Sequence, residues 1–442
     1  MKKSIKISAF VLSVIILFSI TSFAGSGYAH TEEDLLAFTP KWEGIQNDNT
    51  VISLTPGKRM GEINFGWLSE TENESFRISE NSDMSEAKTL EVVQKKASNG
   101  YISNKVTVTG LEEGKTYYYS YTENGVFSEA EKITVQNDEN FTVLFISDAQ
   151  IGRSGDEELE EVLIRDTCGW NYTVDKMTSR YPDAAFVISG GDQLQTEDSF
   201  VQMKAYLSPE ELRSLPVANT IGNHDADATL YSDVFNNPNE VRELFKSKAG
   251  TGYYYTYGDV LFITINSENT SLADSSRVLK SAINAHPDKK WRVVTMHRDP
   301  YAGTHSDDTF SDERLLFASL YDCYDIDLVL AGHTHLYSRT NPMYGGKPAE
   351  EGTVYMQTSS ASGSNYDPLP EKLASFIVSA FDTRVPTYTA LTFGEDTISI
   401  STYRTDTDEA VDSFEVQDNV SDSKANIFTI LIAIFRTMFS ML

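Results

Sequence analysis

Five short polar motifs, each standing just after an apolar, strand-like run, constrain this chain more than any other feature. They are Ser147-Asp148-Ala149-Gln150 after residues 142–146, Gly190-Gly191-Asp192 after 185–189, and Gly222-Asn223-His224-Asp225 after 216–220. His297 follows 292–296, and Gly332-His333-Thr334-His335 follows 328–331. In open α/β sheets, side chains just beyond the carboxyl ends of strands converge even when they are distant in sequence. The motifs therefore call for an α/β domain whose strands deliver these donors to one place. A helical stretch near 157–180 and a further strand at 260–265 continue the strand–helix alternation. A hairpin over 388–404, turning at 394–396, and a short strand at 413–416 are expected to close the domain.

Taken singly, the motifs are ambiguous, because an Asp after a strand commonly caps a helix or forms a turn, and a lone His commonly has only a packing role. As a set they have the chemistry of a metal centre. Asp148 and Asp192 offer anionic oxygens, Asn223 and Gln150 neutral amide oxygens, and four of the seven histidines fall in the motifs. The glycines permit sharp turns and close approach to an ion. Two imidazoles one residue apart, His333 and His335, can reach two ions from one loop.

At 442 residues the chain has room for two well-buried cores. Upstream of the motifs, residues 38–135 read as strand-like, with runs at 63–68, 105–109 and 116–121 separated by turn residues, as in a β-sandwich. Residues 136–140 are a polar linker, and 141–417 form the second domain. Residues 1–29 read as a secretory signal: Lys2, Lys3 and Lys6 precede an apolar run at 9–18, and small Gly27 and Ala29 offer cleavage before His30. A polar linker at 418–425 leads to an apolar segment, 426–442, in which Thr429, Arg436, Thr437 and Ser440 share one helical stripe. That segment is expected to be an amphipathic helix meeting a membrane surface or a partner, with packing on its own domain as the alternative. The expected location is extracellular, with membrane association through that helix.

The formal charge is −29, and losing residues 1–29 removes three Lys and no acid, bringing it to −32. Such a surface repels nucleic-acid backbones and anionic lipid, so no nucleic-acid polymer is expected as a partner. An anionic substrate has to be drawn in by local positive charge, which bound metal ions supply. The two cysteines, Cys168 and Cys323, lack metal or redox spacing, and either one disulfide or two buried thiols fits them.

With these residues in view, the chain resembles the calcineurin-like metallophosphoesterases and, among them, purple acid phosphatase-like enzymes. The amino-terminal half of the resemblance rests on the stretch Thr107 to Tyr119, which looks like the end of a fibronectin type III-like domain with a tyrosine corner. The resemblance implies a fibronectin III-like sandwich followed by an α/β domain with two central mixed sheets flanked by helices. It implies that Asp148, Asp192 and His335 hold one metal ion and that Asp192, Asn223, His297 and His333 hold the other, Asp192 bridging. It implies further that His224 is a general acid oriented by Asp225.

Two departures matter. Gln150 stands where most branches have a His ligand, and it either ligates as a neutral oxygen or hydrogen-bonds behind the ligands. Gln195 stands where purple members have the Tyr that binds ferric iron, so no ferric–tyrosinate centre is expected. Two divalent ions such as Mn, Zn or Fe(II) suit the mixed donors. Arg298 and His305 are candidate contacts for the substrate phosphate. The expected activity is hydrolysis of small phosphate monoesters by metal-activated hydroxide, with His224 protonating the leaving oxygen. A phosphodiesterase or nucleotidase using the same site, and an extracellular binding module with a vestigial site, remain alternatives.

Overall fold

Alternating apolar side chains send the two faces of each central strand into different cores. In Thr142–Ile146, Val143 and Phe145 join one core while Leu144 and Ile146 join another; in Trp291–Arg298, Val293 joins the first core while Val294 and Met296 join a third. The shared core lies between two sheets. The outer cores are closed by helices, through Leu163, Trp170, Val174 and Met177 of Glu160–Arg180 on one side and Val278, Leu279 and Ala282 of Leu272–Ala285 on the other. The result is a four-layer helix–sheet–sheet–helix stack, described by a computed structural model over residues 27–49, 51–98, 100–156, 159–305, 311–382, 384–417 and 430–435.

The first sheet has six strands in the order Val217–Asn219, Phe186–Ser189, Thr142–Ile146, Thr387–Phe393, Thr397–Arg404 and Ala410–Gln417. Its first three strands are parallel and the rest antiparallel. The second sheet has seven, in the order Tyr253–Tyr257, Val260–Thr264, Trp291–Arg298, Leu328–Gly332, Val354–Gln357, Tyr337–Thr340 and Ile377–Phe381. Four neighbours in it are parallel, from Val260–Thr264 to Val354–Gln357. Both sheets are mixed. Three motif-bearing strands lie side by side in the first sheet and two in the second, so the donors arrive from both sides of the central core.

The amino-terminal β region pairs Ile52–Pro56, Ile63–Ser69, Ile102–Val108 and Val93–Lys96 in one antiparallel sheet, and packs it on a second built around Phe76–Ser79 and Thr116–Glu123. Phe65, Trp67, Phe76, Tyr119 and Tyr121 fill the space between them. The strands begin at Ile52, not at residue 38. Residues Glu32–Phe38 and Trp42–Asn47 are helical, the first capped by reciprocal bonds between Thr31 and Asp34. These helices bury Leu35 and Phe38 against Cys168, and Trp42 donates to Glu160, so they belong with the long helix of the second domain. Helical period over so short a stretch is easily taken for strand.

Cys168 and Cys323 are both buried and lie in separate clusters without a disulfide between them, which decides for thiols. The linker at 418–425 lies outside the described residues, as does residue 1–26 of the expected leader. Of the carboxy-terminal segment only 430–435 is described. It is helical, with Ile430 and Ala433 packed into the core behind the second sheet and Leu431, Ile432 and Phe435 exposed. No helix among the described residues is long and apolar enough to cross a membrane.

Candidate metal centre

The turns after the strands are built from unusual backbone. Asp148, Gln150, Asp192 and His333 all take positive φ, at 52°, 37°, 51° and 73°. That region is sparsely used by residues with a Cβ, and such strain concentrates where side chains must be aimed. Space is equally tight. A Cβ on Gly332 would fall on Ser147 Oγ and Asp148 Oδ2, and one on Gly222 would fall on Asp192 Oδ1. Gly332→Ala is therefore expected to push the Asp148 carboxylate out of line and weaken metal binding at least tenfold, measured by chelator competition. Unchanged affinity would mean that the loop can yield.

Ligand atoms of Asp148, Asp192 and His297 lie within 4.8 Å of one another, all three residues buried. His297 Nε2 is 3.2 Å from Asp192 Oδ2 and 3.1 Å from Asn223 Oδ1. His335 Nε2 is 3.3 Å from Asp148 Oδ1. In each of three histidines Nδ1 donates to a backbone carbonyl: His297 to Gly190 (2.9 Å), His335 to Asn365 (3.2 Å) and His224 to Gln195 (2.8 Å). A carbonyl can only accept, so this fixes the tautomer of the neutral ring and leaves the Nε2 lone pair for a cation or a proton.

Burial alone would raise the Asp192 carboxyl, but the charge and hydrogen bond of His297, with a smaller part from His224, hold it below the usual carboxylate range. Asp148 is lowered in the same way, against burial, chiefly by His335. Burial would lower His297, yet Asp192 and Asp148 push it up to about 10. The carboxylates thus favour a positive charge beside them, whether a proton on His297 or a metal ion in its place. Gln150 adds a further sign of fit: its Oε1 is buried without a hydrogen-bond partner. Buried acceptors are rarely left so. Two carboxylates, an amide oxygen and outward-facing Nε2 atoms make a donor set suited to divalent ions.

One expectation needs correction. Asp225 does not orient the His224 ring, whose Nδ1 bonds the Gln195 carbonyl. Its Oδ2 instead accepts from the backbone N–H groups of Gly222 (2.8 Å) and Asp192 (2.9 Å), tying together the loops that carry Asn223 and Asp192. His305 has no hydrogen bond to the cluster among the described residues, and its Nδ1 is buried without a partner. Arg298 does reach the cluster, with Nη1 3.0 Å from His333 Nε2. His333 is held at about 4 by burial first and then by the charges of His297 and Arg298, so its neutral ring accepts this bond. The His333 ring stands 5.0 Å from that of His297.

Two residues here escaped the sequence reading. Glu268 clamps Arg298 with bonds of 2.8 and 3.1 Å, and Ser360 Oγ holds the Asp148 carbonyl at 2.9 Å. Glu268 follows the strand Val260–Thr264 just as the five motifs follow theirs, so the same rule of polar residues after a strand would have flagged it.

Residues 141–337 match the model of the calcineurin-like phosphoesterase family. They form a calcineurin-like phosphoesterase domain. The enzyme class is that of a metal-dependent phosphoric ester hydrolase. Across the whole chain, the phosphoesterase domain and its β neighbour together share their fold with the purple acid phosphatase PPD1 of yellow lupin (Lupinus luteus) seeds. The TM-score is 0.66 at 15% identity, covering 86% of this chain and 75% of that one. PhoD is also similar in fold, with a TM-score of 0.54 at 11% identity over 88% of this chain and 97% of PhoD. No curated protein sequence matches the chain.

Proposed function

We propose that the chain is an exported phosphatase that hydrolyses small phosphate monoesters at a dinuclear centre. The observation that carries this reading is the convergence of Asp148, Asn223, His297 and His335 around the central Asp192. Asp148, Asp192, His335 and the unpartnered Gln150 Oε1 would hold one ion; Asp192, Asn223, His297 and His333 would hold the other. Mn, Zn or Fe(II) suits these donors. When bound, such ions supply Lewis acidity that activates water and neutralises phosphoryl charge.

The chain's own residues supply the rest. Asp192 stands between the two donor groups, its Oδ1 steadied by the backbone N–H of His224 at 2.9 Å. His224, oriented by the Gln195 carbonyl, keeps Nε2 for the proton given to the leaving oxygen. Arg298, fixed by Glu268, offers a guanidinium to the phosphate oxygens.

The β region from Ile52 to residue 135 is read as a fibronectin type III-like module, supported by a bond of 3.0 Å from the Glu112 N–H to the Tyr117 hydroxyl, the pattern of a tyrosine corner. Export rests on the basic and apolar leader, and surface association on the exposed Leu431, Ile432 and Phe435.

The test is metal analysis of the purified protein together with rates on an aryl phosphate and a bis-aryl phosphate. Two divalent ions per chain, no visible charge-transfer band and faster cleavage of the monoester are expected. Preference for the diester would overturn the monoester assignment, and full metal occupancy without hydrolysis of either would favour a binding module.

A further inference from the structure

The expected cleavage before His30 would remove Gly27 and Tyr28, but both are built into the phosphoesterase domain. The Gly27 N–H donates to the Gly363 carbonyl at 3.0 Å, and the Gly27 carbonyl accepts from the Tyr366 hydroxyl at 2.8 Å. The Tyr28 ring lies against Gly169 and Gly363, where an added Cβ would stand 3.2 and 3.1 Å from its Cδ1. Its hydroxyl donates to Asp166 Oδ1 at 2.8 Å.

These contacts lead straight to the metal centre. Asp166 is fully buried on the long helix, and its other oxygen accepts from the backbone N–H groups of Gly152 (2.8 Å) and Ser154 (3.3 Å), directly after Gln150. On the other side, Gly363 belongs to the loop whose Ala361 N–H bonds the Ser147 carbonyl at 2.9 Å and whose Ser360 Oγ bonds the Asp148 carbonyl. Asn365, two residues on, accepts from His335 Nδ1. Gly27 and Tyr28 therefore sit at the junction of the segments that aim Asp148, Gln150 and His335, the residues assigned to one of the two ions.

We propose that Gly27 and Tyr28 stay in the mature protein as a strap bracing that half of the metal centre, and that the leader is removed upstream, after Ala24. Ser22 and Ala24 offer the same small-residue spacing as Gly27 and Ala29, and they lie nearer the end of the apolar run. Tyr28 is a positioning residue in this arrangement, since it acts through Asp166 and never meets the ion. The strap role rests on the two-ion reading above, whereas the cleavage site rests on export alone.

Two measurements decide the matter. Intact mass of the full-length gene product recovered from the medium of a secreting host is expected to place the amino terminus at Gly25. A start at His30 overturns the proposal, and a chain kept in the cell with its leader overturns both export and the cleavage site. The second measurement is Mn²⁺ titration of the mature protein. Tyr28→Ala is expected to weaken one of the two ions about tenfold, the low end for residues behind metal ligands. The other ion should be unaffected, and Tyr28→Phe, which keeps the ring, should fall between. Equal affinities in all three proteins, or a uniform loss of both ions with a lower melting temperature, overturns the strap. Wild-type protein that takes up no ion at all sinks the two-ion reading itself.

Discussion

Replacing Asp192 by Asn is expected to lower kcat/KM by about 10³ to 10⁴, since an ion pair of this kind supplies several kcal/mol and each 1.36 kcal/mol is a factor of ten. The amide has nearly the shape of the carboxylate, so the turn and its bond from the His224 N–H should survive. What disappears is the negative charge that sits between the two donor groups, 3.2 Å from His297 Nε2. Metal content should fall in parallel with activity. A variant that kept both ions and full turnover would show that Asp192 is not the shared ligand.

Replacing His224 by Ala is expected to cut turnover by about 10² to 10⁴ while leaving the ions in place. The ring is aimed by the Gln195 carbonyl and makes no bond to Asp148 or His297 among the described residues, so its removal should not disturb the donors. The loss should depend on the substrate. An alkyl phosphate, whose leaving oxygen needs a proton, should suffer fully, and a nitrophenyl phosphate much less. Equal losses on both would take His224 out of the proton-donor role, and loss of the ions would make it a ligand instead.

The catalytic half of the fold was legible because each strand is an apolar run that stops at a motif. The run 142–146 matches its strand residue for residue, and the others differ by one or two at their ends. The convergence of Asp148, Asp192 and His297 could be foreseen for the same reason, since strand ends in such sheets face one crevice. The hydrogen-bond partners around them could not. Asp225 was read as the partner of its neighbour His224, yet it turns to two backbone N–H groups while a distant backbone carbonyl takes the ring. Every non-Pro residue carries these backbone groups, so sequence does not say which will be used. The bond between Arg298 and Glu268, 30 residues apart, likewise depends on two strands being neighbours in the second sheet. The short helices at 32–47 were missed because what defines them is their burial against Cys168 and Glu160, far along the chain.

The donors come from opposite sides of the central core: Asp148, Asp192 and Asn223 follow strands of the first sheet, while His297 sits near the end of one strand of the second and His333 follows another. Cations held by both groups of donors would therefore tie one sheet to the other across the central core. Loading with metal would then add to the stiffness that the close-packed core already gives the two layers.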